Sequence, residues 1–159
     1  MKLLRILPLC LFTLLTLGPV SLHAQREKLP PEDLEFVEKR WPNAKRTFTT
    51  LRYIVLKEGD KKGATPEPGM MISTLFKGML LDGHVFDQML DPKNPLKTRV
   101  GRGNLIPGWD EAIQKMHRGE KWLIIVPSEL AYGARGRPPT IPHDATLVFE
   151  IELQDFSQD

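Results

Sequence analysis

The strongest constraint on the fold is a change of period along the chain. Trp109, Ala112, Ile113 and Met116 recur at i, i+3, i+4 and i+7, which makes one apolar stripe on a short helix. Asp110 and Glu111 stand at its positive end, Lys115, His117 and Arg118 at its negative end, and Gly119 suits a left-handed cap. On both sides the pattern shortens. Leu51, Tyr53 and Val55 alternate with Arg52, Ile54 and Leu56; further strands are expected over residues 70–80 and 96–100. Trp122 to Val126 reads as a buried strand, and Leu147, Phe149, Ile151 and Leu153 form the apolar side of a last, half-exposed strand. About five antiparallel strands and one well-formed helix predict an α+β domain with the helix packed on one face of the sheet.

The chain has 159 residues, 41% of them hydrophobic, which favours one domain with a real core. Its start is of another kind. Lys2 and Arg5 precede an apolar run from Ile6 to Leu17, and Ser21-Leu22-His23-Ala24 offers a cleavage site, so residues 1–24 read as a signal peptide. A membrane span needs about 20 apolar residues, more than this run supplies. Cleavage removes Cys10, the only cysteine, and leaves no disulfide to form. It also removes Lys2 and Arg5, so that the basic residues equal the 20 acidic ones. A near-neutral mature chain has no electrostatic footprint for nucleic acid or anionic lipid. Residues 25–46 form a helical lead-in, with Pro30-Pro31 to start it, Leu34, Val37 and Trp41 on one face and Pro42 to stop it. The main domain is expected over 47–156, with the lead-in docked on it.

Chemistry-bearing patterns are few. Gly101, Gly103 and Gly108 lack the spacing and the βαβ surroundings of a dinucleotide loop. His84, His117 and His143 match no zinc spacing, so no metal is expected. Ser128, His143 and Asp144 carry the letters of a hydrolase triad without a nucleophile-elbow motif. What stands out is large apolar residues where the chain turns: Gly108-Trp109, Leu130-Ala131-Tyr132-Gly133 and Ile141-Pro142. A pocket of that kind suits a reaction that needs a dry, shaped surface more than proton transfer.

From Phe76-Lys77-Gly78-Met79-Leu80, Asp82-Gly83 and Phe86-Asp87, through Gly108-Trp109-Asp110-Glu111 and Leu130-Ala131-Tyr132-Gly133, to the run Ala145 to Leu153, the chain resembles the FK506-binding-protein (FKBP-type) peptidyl-prolyl isomerases. The residues from Leu51 to Gly59 resemble the strand that precedes this domain in exported bacterial members. The resemblance implies a half-barrel, an antiparallel sheet curled around the helix, and rotation about Xaa-Pro bonds without cofactor or metal. It implies Trp109 as the pocket floor and Phe86, Leu105, Ile106, Ile141, Phe149 and the Tyr132 ring as its walls, with Phe76 and Leu96 beside them. The Ile106 N–H and the Tyr132 hydroxyl would hold substrate carbonyls, and Asp87 completes the catalytic set. For each apolar residue, ordinary core packing is the alternative. Partners implied are proline-containing unfolded or nascent exported polypeptides and macrolides of the FK506 type, with a monomeric protein in the periplasm or secreted.

Three positions depart from the family. Phe76 replaces a usual tyrosine, Leu96 a phenylalanine, and Pro92 a common arginine. The tyrosine and arginine both hold the aspartate equivalent to Asp87, so this carboxylate is expected either to lie unpaired in an apolar cleft, at a cost, or to turn to Lys77, Lys93 or Arg137. Weakened macrolide affinity follows. Two classes of function remain: an isomerase assisting folding, and a module that holds unfolded chains in the same cleft without turnover.

Overall fold

A computed structural model describes residues 26–158; the signal-peptide reading of residues 1–24 lies outside them. The elements run α1 (Pro31–Arg40), β1 (Lys45–Arg46), β2 (Arg52–Lys57), β3 (Met71–Leu80), β4 (Val85–Met89), β5 (Leu96–Arg99), α2 (Pro107–Ile113), β6 (Lys121–Val126) and β7 (Leu147–Ser157). The strands form one antiparallel sheet in the order β1-β2-β6-β7-β3-β4, with β5 also paired to β3.

The sheet has seven strands where about five were expected. β1 is two residues long and too short to show a period. β4 hides for a different reason. Gly78 pairs with Asp87 and the next residue, Met79, with Val85, so Phe86 is an extra residue bulged out of the ladder. A bulge interrupts the alternation by which a strand is recognised. β7 lies at the centre, pairing along ten positions with β3 and six with β6. The last strand of the chain therefore closes the sheet between elements distant in sequence.

Two apolar layers sandwich the central strands. On the concave face Trp122, Ile124 and Val126 of β6 and Leu147, Phe149, Ile151 and Leu153 of β7 pack against Trp109, Ala112 and Ile113 of α2. On the convex face Leu123, Ile125 and Val148 pack with Leu29 and with Leu34, Val37 and Trp41 from α1. β6 is covered on both sides, which is why its sequence is a continuous apolar run. The lead-in helix thus docks on the sheet. Pro31 opens it, Glu32 and Asp33 occupy its first turn, and it ends where the Trp41 N–H bonds the Val37 carbonyl.

α2 stops earlier than its apolar stripe. The helix ends at Ile113, and the amides of Lys115 and Met116 reach back only three residues, to Ala112 and Ile113. Met116 is buried all the same. Gly119 has a φ of +83°, but it donates to Leu153 on β7 instead of capping the helix. Tight turns continue the apolar stripe past the last α-helical turn, so the spacing persists while the helix does not.

One polar contact fastens the lead-in. Arg52 of β2 is only 6% exposed. Its guanidinium donates through Nη1 and Nη2 to the two carboxylate oxygens of Glu27, at 3.1 and 2.8 Å, and Arg46 joins at 3.2 Å. The side-chain hydrogen bond from Arg52 lowers the Glu27 pKa to about 2, helped by the amides of Leu29 and Lys28 and opposed by burial. A carboxyl whose folded pKa is depressed stabilises the fold above its unfolded value and loses that contribution as pH falls through the folded one. Glu27→Gln is therefore expected to cost about 1 kcal/mol at pH 7, after allowance for solvent screening. The gap to wild type should narrow between the ordinary carboxylate range and about pH 2. Urea unfolding at stepped pH measures it; a gap that does not change with pH contradicts the assignment.

Candidate functional site

The concave face of the sheet and the start of α2 enclose a cleft of about 510 Å³, within the range of small-ligand sites. Its construction follows from three local features. The first is α2 itself. Ile106 has an extended backbone and Pro107 supplies the first helical position, so the helix begins abruptly at the cleft edge. One step inside, Trp109 faces the sheet. It is 4% exposed, yet it lines the cleft. Its ring stands nearly perpendicular to Phe76 of β3, with centroids 5.1 Å apart, and to Phe149 of β7, at 5.4 Å. Both are favourable edge-to-face geometries.

The second feature is the bulge in β4. Residues directly opposite each other in a ladder share a face. Asp87, opposite Gly78, lies on the concave face with Phe76, and the bulged Phe86 reaches the same cleft. Phe86 stands edge-to-face with Phe149 at 5.6 Å. Two consecutive residues can line one cleft only because the alternation is broken between them.

The third feature is the loop between β6 and β7. Two 3-10 turns, Ser128–Leu130 and Gly133–Arg135, carry Ala131 and Tyr132 to the cleft edge. Beyond them Arg137 and Ile141 exchange two backbone hydrogen bonds, of 2.8 and 3.0 Å, which close the proline-containing loop.

Asp87, Ile106, Tyr132, Phe76, Phe86, Leu96, Leu105, Trp109 and Phe149 all line this one cleft. Ile141 does not. It is 2% exposed and belongs to the core cluster with Trp109, while its backbone bridge to Arg137 closes the loop. Gly103, Asn104, Pro107, Ala131 and Arg137 also line it. Most of these adjoin residues already singled out, and that adjacency in loops was their only signal.

Asp87 differs from expectation. It is exposed at the cleft edge, so the desolvation cost foreseen for it falls away. Among the described residues its carboxylate forms no hydrogen bond or ion pair. Lys77 neighbours Phe76 and Gly78 on β3 and so points to the opposite face. Lys93 sits on the exposed turn that Asp91 organises through the Lys93 amide and the Asn94 side chain. Arg137 alone of the three cations shares the cleft with Asp87. The Trp109 indole N–H is buried and has no partner among the described residues. The Ile106 amide and the Tyr132 hydroxyl likewise make no hydrogen bond there, which leaves two donors for a bound molecule.

No helix among the described residues is long and apolar enough to cross a membrane. The chemistry on offer is an aromatic-floored, largely apolar cleft with a backbone donor, a phenol and, at its open side, one carboxylate and one guanidinium.

Comparison with known proteins agrees. The chain is 45% identical over 95 residues to FK506-binding protein 1A of Emericella nidulans, covering 60% of this chain and 87% of that protein. It is 42% identical over 88 residues to FK506-binding protein 1A of Aspergillus fumigatus, covering 55% and 79%. To peptidyl-prolyl cis-trans isomerase FKBP2 of Homo sapiens it is 46% identical over 85 residues, covering 54% and 60%. These relatives are fungal and mammalian. The family model of FKBP-type peptidyl-prolyl cis-trans isomerases matches residues 62–154, the stretch that carries the cleft, and the chain belongs to that family of enzymes.

Proposed function

We propose that this isomerase binds the twisted Xaa-Pro amide over Trp109, with the Ile106 N–H and the Tyr132 hydroxyl holding substrate carbonyls. The observation that carries this reading is that both donors belong to residues lining the cleft while neither has a partner among the described residues. Rotation about the bond faces a barrier of roughly 18–20 kcal/mol because amide resonance must be broken. The twisted amide loses resonance and with it charge separation, so transfer into an apolar cleft favours it over the planar form. No covalent intermediate is needed, and a thousandfold acceleration requires only about 4 kcal/mol. Phe86, Leu96, Leu105 and Phe149 exclude water around the proline ring. Phe76 supports Trp109 from the sheet. Asp87 and Arg137 set the charge at the open side.

The substrates inferred are proline-containing unfolded polypeptides. A leader over residues 1–24 supports export, with cleavage near Ala24, a lead-in over 25–46 and the isomerase domain over 47–156. The periplasm, or secretion, is the setting inferred for an exported bacterial type, although the fungal and mammalian relatives lend that subtype no support. Macrolides of the FK506 type are expected to bind weakly, because neither Phe76 nor Pro92 can hold Asp87 in place. The protein is expected to act as a monomer.

Tyr132→Phe should lower kcat/KM for Xaa-Pro tetrapeptides about three- to tenfold, the worth of one hydrogen bond. Thermal stability should not change, because the hydroxyl bonds nothing in the protein. An unchanged kcat/KM rejects its role as a carbonyl donor. An aggregation-suppression assay run beside it separates catalysis from holding: wild type that suppresses aggregation but does not speed exchange would be a holding module.

A second expectation concerns the rings. A Cβ placed on Gly78 meets Phe86 at 2.8 Å and Phe149 at 2.9 Å. Gly78→Ala must displace the cleft wall, with a stability loss of about 1–3 kcal/mol and a drop in kcat/KM of about tenfold or more. Full activity in this variant would show that the Phe86–Phe149 wall is dispensable.

A further inference from the structure

Among the described residues, three of the six large hydrophobic residues that stand exposed, Val85, Met89 and Leu90, lie on or directly after one five-residue strand, the strand that carries Phe86 and Asp87. Isolated exposed apolar residues need no explanation, but these are sorted by the ladder. Met89 pairs with Phe76 and Asp87 with Gly78, so Met89 shares the concave face with the cleft. It lies two residues beyond Asp87, about 7 Å along the strand. Val85 pairs with Met79, which packs in the convex layer with Leu123 and Val148, so Val85 faces the other way. Met89 is 36% exposed and Leu90 55%. Leu90 leads into the turn that Asp91 fixes through three hydrogen bonds, from the Lys93 and Asn94 amides and the Asn94 side chain, so its position is held by the backbone. β4 ends the sheet, and no strand flanks it on that side.

We propose that Met89 and Leu90 extend the prolyl cleft as an apolar subsite, which takes a hydrophobic side chain of the substrate polypeptide a few residues from the proline. The occupant is the substrate chain itself, because Met89 continues the lined cleft past Asp87 on the same face of the same strand, and Leu90 follows it where the strand ends. A tetrapeptide flanked by alanine brings no large apolar side chain to it; an unfolded polypeptide does. The subsite makes the enzyme favour prolines near apolar residues, which are common in unfolded chains and buried in folded ones. The inference rests on the cleft being the prolyl site.

The test compares wild type, the Met89→Ser/Leu90→Ser double variant and Val85→Ser. Val85 is 36% exposed, as Met89 is, but lies on the opposite face. The substrates are an Ala-Pro tetrapeptide and a set of twelve-residue peptides with the same Ala-Pro core, each with one Leu at a different flanking position in an otherwise alanine and serine background. In wild type, Leu at one flanking position should raise kcat/KM about three- to tenfold over the leucine-free peptide. The double variant should lose that gain, and Val85→Ser should keep it. Leu90→Ser alone repeats the comparison if the double variant unfolds. A gain that survives in the double variant, or that no flanking Leu produces in wild type, overturns the subsite. A dimer found by sedimentation in wild type and lost in the double variant also overturns it, in favour of self-association. Failure of the prolyl site itself looks different, because wild type would then fail on the tetrapeptide.

Discussion

The structure depends on the packing of Trp109 between the start of α2 and the concave face of the sheet. Its ring meets Phe76 and Phe149 edge-on, and those two residues sit on β3 and β7, the longest pair of strands in the sheet. A single side chain thus joins the helix to the centre of the ladder and also forms the floor of the cleft. Core and site are one object here. A close-packed interior transmits strain, so any change that shifts Phe76 or Phe149 shifts the floor as well. The mechanism proposed above asks for a rigid apolar surface and two donors, and this packing supplies the rigidity. The donors are left free by the same design: the Ile106 amide precedes the first helical turn, and the Tyr132 hydroxyl stands on a loop.

The departures at Phe76, Pro92 and Leu96 look different in three dimensions. Loss of the tyrosine hydroxyl and the arginine charge does not strand a carboxylate in an apolar interior, because Asp87 is exposed. The loop that holds Pro92 is instead organised by Asp91. Phe76 gives up a hydrogen bond to Asp87 but keeps its packing on Trp109. The cleft is left with a supported floor and a freer acidic edge, beside Arg137 on one side and exposed apolar residues on the other.

The lead-in is more than an appendage. α1 covers the convex layer, and the Glu27–Arg52 contact ties it to β2, the strand next to β6. β6 in turn carries Trp122, Ile124 and Val126 into the layer beneath α2. This backing lies on the face of the sheet opposite the cleft, before the family match that starts at residue 62.

Much of this was legible in the chain. Period fixes which face of an element is apolar, and so Trp109, Ala112 and Ile113 on α2, the burial of β6 and the alternation of β7 could all be read locally. The motifs located the cleft residues because their side chains lie next to the turns and helix start that carry them. Three things had to wait for the fold. The β4 bulge breaks the very alternation by which a strand is read, and only pairing with Gly78 and Met79 shows that Phe86 and Asp87 face one way. Ile141 looks like a wall residue by motif, and only the fold shows it buried in the core cluster with Trp109. The exposure of Asp87 depends on what lies beside it in space, not in sequence. Local pattern determined which residues are apolar and where the chain turns; non-local strand pairing alone decided which of them meet.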